Sequence, residues 1–416
     1  YEFNGCQGDE GGPRSFAGIS VKRLLSFAVI ASLLFTPIAQ AAPKKISVKP
    51  LQLLTTVGSP DEVSGVVTSG KSLIIFGSKA SKAYARAIDT TGKELWNLSL
   101  DQTAVSIATA AAVDAAGDIW IAGATPLALG LIPPTPAATP VNPDNAVVPP
   151  ATLVGNLQAV TIWKLTAAGA LTFTNTLPTS SVLFPTSISV DRNGASIVGI
   201  IGNEKGSAGF LVNTDKVGVF GKLLQIGAVS TTADAVVRHG DGSFTVAGSS
   251  SETLAGKKVA GLTDGILVKI SKAMKITNVV RSSAVKGKRI WNSASSTLLL
   301  GGEVVVGAKS ETAITKFSST YAPTWTYRFP STGPAMTAGS TYAVFISTGA
   351  TPQLNWNPKA AAPLLLTFDA KGTIIAADSG PLGQKEVLGA LVSKELGLLV
   401  VTSSAESVSI FTLIPR

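Results

Sequence analysis

One phrase returns along this chain: a strand, a short turn, a second strand ending in Gly or Ser, a loop, then a third strand running through a turn into a fourth. It is clearest where Ala85-Arg86-Ala87-Ile88-Asp89-Thr90-Thr91-Gly92-Lys93-Glu94-Leu95-Trp96 is followed by Ala111-Ala112-Val113-Asp114-Ala115-Ala116-Gly117-Asp118-Ile119-Trp120-Ile121-Ala122-Gly123. Self-similarity at about 40–50 residues means one supersecondary unit that buries its faces by packing on copies of itself. Val, Ile and Thr recur at strand spacing, helical periodicity is scarce, and 45% hydrophobic against 14% charged residues suits a chain of much buried sheet.

Seven such units can be laid out, over residues 63–100, 107–177, 187–226, 233–281, 289–329, 335–378 and 387–414. The last has only three strands, and an orphan strand at 46–55 precedes the first. Pairing the orphan as the missing fourth strand would close a ring and remove the edges that an open sheet exposes. The expected fold is therefore all-β, a seven-bladed β-propeller of four-stranded antiparallel blades over residues 42–416, with an eighth, poorly marked blade left open. Asp114-Ala115-Ala116-Gly117, Asp191-Arg192-Asn193-Gly194, His239-Gly240-Asp241-Gly242 and Asp369-Ala370-Lys371-Gly372 put Asp, Asn and Gly where tight turns need them.

Ahead of the repeats, Lys22-Arg23 precede an apolar run from Leu24 to Phe35 and then Pro37-Ile38-Ala39-Gln40-Ala41. A basic start, a short apolar stretch and an Ala-x-Ala site read as a secretory signal peptide over 21–41, cut after Ala41. The run is too short for a bilayer span of about 20 residues, and no later segment is long and apolar enough. Residues 1–20 are polar, Gly-rich and unlike the rest, and are read as upstream sequence preceding a start at Val21. They hold Cys6, the single cysteine, so the exported part would carry no disulfide or thiolate. A secreted or cell-envelope location follows.

The residues Asp89-x-x-Gly92-x-x-Leu95-Trp96 and Val113-Asp114-x-x-Gly117-Asp118-Ile119-Trp120-Ile121-Ala122-Gly123 resemble secreted bacterial β-propeller repeats of the quinoprotein-like and SBBP types. The likeness is good over the first two units, fair near Gly265–Ile270 and Phe368–Gly372, and poor elsewhere. It implies fold and secretion, not activity.

In such a ring the first-to-second and third-to-fourth turns share one face, and the longer connections share the other. Three long insertions, 125–156, 249–263 and 348–362, all belong to the second set. The first is Pro-rich and extended. The third carries Asn355-Trp356-Asn357, an aromatic ring between amides, the chemistry that stacks on a sugar and hydrogen-bonds its hydroxyls. Ligand contacts are therefore expected at Trp356, Asn355 and Asn357, with Lys257 and Lys258 as electrostatic helpers and Asp264 as an acid on that face, capping a turn. Trp96, Trp120 and Trp163 are expected to pack between blades, and His239 to stand exposed in its turn.

The net charge is +9. The residues up to 41 hold Arg14, Lys22 and Arg23 against Glu2, Asp9 and Glu10, so the exported part keeps the same balance. A basic exported protein suits a cell-wall polymer, a polysaccharide or another envelope protein as partner. The basic residues form no block or stripe with aromatics, which speaks against nucleic acid. One histidine builds no triad, and no His/Cys set or Asp-x-Asp-x-Asp loop offers a metal site. A binding scaffold without catalytic residues, metal or cofactor is thus the leading reading. The alternative is a propeller enzyme acting on a polysaccharide or using a quinone.

Overall fold

Residues 45–101, 105–127 and 157–413 are described by the computed structural model of the chain, and every regular element among them is a strand. Sheet 1 comprises Val63–Ser69, Ser72–Lys79, Lys82–Ile88 and Glu94–Ser99. Sheet 2 comprises Ile107–Val113, Ile119–Pro126, Leu157–Leu165 and Leu171–Pro178, and sheet 3 Leu183–Asp191, Gly194–Asn203, Gly206–Asn213 and Leu224–Ile226. Sheet 4 has Thr231–Arg238, Phe244–Ser250, Asp264–Ile270 and Ile276–Ser282; sheet 5 has Lys288–Ala294, Leu299–Val306, Lys309–Phe317 and Pro323–Pro330. Sheet 6 is built on Met336–Ala338, Tyr342–Ser347, Ala362–Phe368 and Ile374–Ser379; sheet 7 has Glu386–Ser393, Gly397–Ser403, Val408–Thr412 and, from the other end of the chain, Gln52–Val57. The protein is an all-β propeller of four-stranded antiparallel blades. Six sheets keep to four strands, and sheet 6 has six.

The two extra strands of sheet 6 correct the expected single strand at 46–55. That segment is two strands: Ile46–Pro50 runs parallel to Ile374–Ser379, and only Gln52–Val57 pairs with Val408–Thr412. Pro50 has no N–H to continue a ladder, and Leu51, whose N–H reaches Ser379 O at 2.8 Å, turns its side chain into the core between sheets 6 and 7. The short strand Leu354–Asn355 then adds to Ile46–Ser47 in parallel register. A second correction concerns residues 219–226, where only Leu224–Ile226 forms a strand beyond a bridge between Thr214 and Phe220.

The burial patterns say where each strand stands. Second strands such as Ile119–Pro126 and Phe244–Ser250 are buried along almost their whole length, because neighbouring sheets cover both faces. Fourth strands such as Glu94–Ser99 and Leu171–Pro178 alternate exposed and half-buried residues, as outer edges do. The core is accordingly divided into clusters, each shared by two sheets. Ala83, Ala85 and Ala87 of sheet 1 meet Ile119, Ile121 and Trp163 of sheet 2, for example, and Leu73 and Ile75 of sheet 1 meet Leu399 and Val401 of sheet 7. Trp120 and Trp163 are fully buried between sheets, as expected of packing tryptophans.

The Gly near the end of the second strand has a packing cause. First strands carry a β-bulge, between Val63 and Gly65, Ala108 and Ala110, or Ala233 and Ala235, for instance. Beside the bulge a carbonyl near the start of the first strand (Glu62, Ile107 or Thr232) presses on the second strand, where a Cβ on Gly77, Gly123 or Gly248 would lie 1.9, 1.8 or 2.1 Å from it. Only glycine admits that approach.

An aromatic at the start of a fourth strand, four residues after the positive-φ position of its turn, is an inter-sheet lock at three joints. Trp96, from the fourth strand of sheet 1, lies on Gly169 in the third-to-fourth turn of sheet 2, and its Nε1 donates to Ala167 O at 3.2 Å. Phe173 of sheet 2 lies on Gly218 of sheet 3, and Trp325 of sheet 5 on Gly372 of sheet 6, where Tyr327 also donates to Gly372 O at 2.8 Å. Gly372 sits at φ +88° with the Trp325 ring 2.6 Å from any added Cβ. Gly372→Ala should therefore destabilise the protein by about 1–3 kcal/mol, through left-handed strain and displacement of the ring. Chemical denaturation would measure it, and an unchanged midpoint would show that the lock carries no stability.

Candidate functional site

The tight turns follow one local rule. A side-chain oxygen at the first position accepts backbone N–H groups two and four residues on, and the fourth position adopts positive φ. Asp89 holds the N–H groups of Thr91 and Lys93 at 2.8 and 3.0 Å, Asp114 those of Ala116 and Asp118 at 2.9 and 3.0 Å, and Asp369 those of Lys371 and Thr373 at 2.9 and 2.8 Å. Gly92, Gly117 and Gly372 supply the positive φ at 87°, 89° and 88°. These bonds hold the Asp89 and Asp369 carboxyls below the usual range, led by the Thr91 hydroxyl and the Thr373 N–H respectively.

In three turns of sheets 4 and 5 a serine takes the first position and accepts the N–H four residues on, but the glycine is gone. Met274, Leu298 and Tyr321 occupy the fourth position, at φ 58°, 60° and 64°. Such strain marks places where the surroundings dictate the backbone. Four residues after Met274 stands Asn278, not an aromatic, so no fourth-strand ring of sheet 4 lies on the turn of sheet 5. Instead Tyr321 reaches back, and its hydroxyl meets Thr245 Oγ1 of sheet 4 at 2.5 Å.

The exchange leaves a cleft of about 600 Å³ beside the turn, lined among others by Lys269, Ser271, Thr277, Asn278, Thr320 and Tyr321. A second hollow of about 340 Å³ shares Asp241, Lys269 and Tyr321 with it and reaches His239. Lys269 Nζ stands 5.9 Å from the centre of the Tyr321 ring. Thr245 bridges the site from below, because His239 Nε2 lies 2.6 Å from the same hydroxyl that meets Tyr321. His239 is thus half-buried and bonded, a correction to its expected exposure. Burial lowers its pKa, opposed by Asp241 and helped by Lys269. A neutral imidazole accepting from Thr245 leaves that oxygen to accept from Tyr321, so all three polar groups are satisfied. Burial likewise raises the Tyr321 phenol, which stays protonated and can donate.

The residues expected to bind from sequence lie elsewhere. Trp356 is half-buried, packs on the core shared by sheets 5 and 6, and donates through Nε1 to Ser347 Oγ at 3.0 Å. Asn355 and Asn357 flank it in exposed positions, Asn355 within the short parallel strand. Lys257 and Lys258 are exposed on the connection of sheet 4, where Lys257 O accepts from Arg281 Nε at 3.1 Å. Asp264 is wholly buried, accepts from Ala260 and Gly261 N–H at 2.9 Å each and pairs with Arg281 at 3.4 Å. These six positions therefore belong to connections of two different sheets, 4 and 6. The 249–263 and 348–362 insertions are hydrogen-bonded within themselves, while of the Pro-rich one at 125–156 the stretch 128–156, like the leader and Cys6, lies outside the described residues.

Towards the inner strands, the bulge positions carry Ser64, Thr109, Thr186, Asp234, Asn292 and Leu388, and four of these line a cavity of about 190 Å³. Asp234 is the one carboxylate of that set, pushed up to about 6 by burial against a hydrogen bond from Thr232. Among the described residues no three His, Cys, Asp or Glu side chains come together as a metal site.

Among solved structures the chain is similar to the WD40 domain of Toxoplasma gondii coronin, at 10% identity and a TM-score of 0.47 over 90% of each chain. It is also similar to a protein from Lactobacillus plantarum, at 11% identity and a TM-score of 0.42 over 78% of this chain and 86% of that one. No protein-family model and no curated protein matches the chain. The class, a β-propeller, rests on the strand pairing itself, and the narrower quinoprotein-like resemblance finds no family match beside it.

Proposed function

We propose that this protein is a secreted or cell-envelope propeller of seven blades, acting as a binding scaffold, with its working site in the cleft between sheets 4 and 5. The signal-peptide pattern at 21–41 supports export. Contacts between successive first strands, from sheet 1 through sheet 7 and back to sheet 1, support a ring, as does the pairing of Gln52–Val57 with Val408–Thr412. The observation that carries the site is the aromatic lock absent here together with an open cleft: three joints, between sheets 1 and 2, 2 and 3, and 5 and 6, hold an aromatic on a glycine, whereas this one holds Asn278, Tyr321 and a cleft of about 600 Å³. Its lining offers the Asn278 amide, hydroxyls, the largely buried Tyr321 and two lysines, Lys269 and Lys272, against one carboxylate, Asp241. That set recognises a hydroxyl-rich chain bearing negative charge, such as an acidic polysaccharide or cell-wall polymer.

A glycan and cell-wall-polymer array finds the ligand, and calorimetry on variants tests the site. Asn278→Trp combined with Tyr321→Gly installs the lock of those three joints and fills the cleft, so affinity should be lost while the fold survives. Lys269→Ala should weaken binding by roughly tenfold, the value of one charged hydrogen bond. Trp356→Ala should lower stability with little change in affinity. The opposite outcome, affinity lost with Trp356 and kept in the filled cleft, moves the site to the connection of sheet 6.

A further inference from the structure

Three residues before the third-to-fourth turn, sheets 2 to 6 carry Trp163, Val212, Val268, Thr315 and Leu366, all buried. Trp163, Val212, Val268 and Leu366 belong to the core shared with the preceding sheet. In sheet 1 this position is Arg86. Strand alternation puts Lys82 and Tyr84 on the same side as Arg86, while Ala83, Ala85 and Ala87 face sheet 2. The joint between sheets 7 and 1 is apolar where residues such as Val57, Val63, Leu73, Ile75 and Ile88 meet Leu399, Val401 and Ile410. Further out it becomes a cleft of about 370 Å³ lined by Lys79, Lys82, Tyr84, Arg86, Asn97 and Ser99, with Gly58 and Glu62 at its rim.

Three cations face one carboxylate on that lining. Glu62 takes Lys79 at 3.4 Å. Arg86 stands 3.9 Å from Glu94, a residue outside the lining, and its side chain is 27% exposed. With Glu94 counted, three cations, Lys79, Lys82 and Arg86, stand against two carboxylates, and the fork of a guanidinium suits planar or tetrahedral oxygens better than a lone ammonium does. Asn97 and Ser99, opposite Arg86 and Tyr84 across the ladder, stand on the same wall, Asn97 donating to Glu94 at 3.4 Å and Ser99 to Asp101 O at 3.1 Å. Burial raises the Tyr84 phenol while the Arg86 charge lowers it and Glu62 raises it, so it stays protonated and can donate.

We infer that this cleft is an anion site, separate from the cleft between sheets 4 and 5, that takes an oxyanion group of phosphate or sulfate type. Nothing in this inference depends on the ligand of the other cleft. The test is calorimetric titration with inorganic phosphate and sulfate, and with a polyphosphate and a dextran sulfate, at constant ionic strength in chloride. Saturable binding is expected for the inorganic ions if the group is taken free, and much tighter binding of one polymer if it is carried on a chain. Arg86→Gln should weaken either by about tenfold or more, and the exposed Lys82→Gln by several-fold, while Lys371→Gln on sheet 6 leaves it unchanged. Thermal melts report whether each variant folds; should Arg86→Gln not fold, Lys82→Gln decides. Absence of saturable binding for all four probes, or unchanged affinity in both variants, overturns the site.

Discussion

A chain lacking residues 45–57 should fail to fold cooperatively, and a synthetic peptide of that sequence should restore the fold when added in trans. The segment serves three joints at once. Ile46 and Val48 pack on the core between sheets 5 and 6, Leu51 enters the core between sheets 6 and 7, and Val57 that between sheets 7 and 1. Removing it strips the outer strand from sheet 7 and the parallel strand from sheet 6. Each fully buried Leu or Val side chain is worth about 1.5–3 kcal/mol and each ladder hydrogen bond about 1 kcal/mol. The sum reaches the whole net stability of an ordinary domain, about 5–15 kcal/mol. The bared edge of Val408–Thr412 would also template association between chains. Circular dichroism melts and size-exclusion chromatography would measure both effects. A truncated chain melting at the parent midpoint would falsify the closure of the ring through this strand.

The fold was legible wherever its cause was local. The Asp89, Asp114 and Asp369 turns rest on contacts two to four residues apart, so Asp and Gly at fixed offsets announced them. Strand alternation and the glycine ending the second strand announced the four-stranded unit. The split at Pro50 was not announced, because it depends on Ile46–Pro50 finding Ile374–Ser379 in parallel, a pairing set by tertiary contact. His239 was misjudged for the same reason: a turn residue reads as exposed, yet Thr245 and, 76 residues beyond it, Tyr321 close over it.

The candidate cleft was hidden in a different way. Its signal is a departure from a repeat, Met274 and Tyr321 where Gly169, Gly218 and Gly372 stand, and Asn278 where Trp96, Phe173 and Trp325 stand. Aligning the turns by their capping residue would have exposed it. The attention given to long connections instead favoured Trp356, whose amide neighbours suggest a sugar contact but whose ring has a packing place and whose indole has a partner in Ser347.

The second large effect is expected at Asp264, because there the sequence hides a buried charge inside a connection that reads as a loop. Asp264 is fully buried and the Arg281 side chain is 8% exposed. Arg281 also donates to Ser250 O at 3.3 Å, to Lys257 O at 3.1 Å and to Glu252 O, so one guanidinium gathers the whole 249–263 connection. Asp264→Ala leaves that buried cation without its counter-charge and the N–H groups of Ala260 and Gly261 without their acceptor, which should cost about 3–5 kcal/mol. Burial pushes the Asp264 carboxyl up, but hydrogen bonds from Ala260, Ser283 and Gly261, with the Arg281 charge, outweigh it and leave it below the usual range. A carboxyl lowered in the folded state stabilises above its unfolded value of about 4 and loses that contribution as pH falls through the folded value. The difference between the parent and Asp264→Asn should therefore be full near neutrality and shrink steadily on acidification. Urea denaturation at several pH values measures both quantities. A cost for Asp264→Ala under about 1 kcal/mol, typical of an exposed pair, would mean that solvent screens the ion pair. A difference between the parent and Asp264→Asn that ignores pH would mean that the charge of Asp264 plays no part in holding the connection.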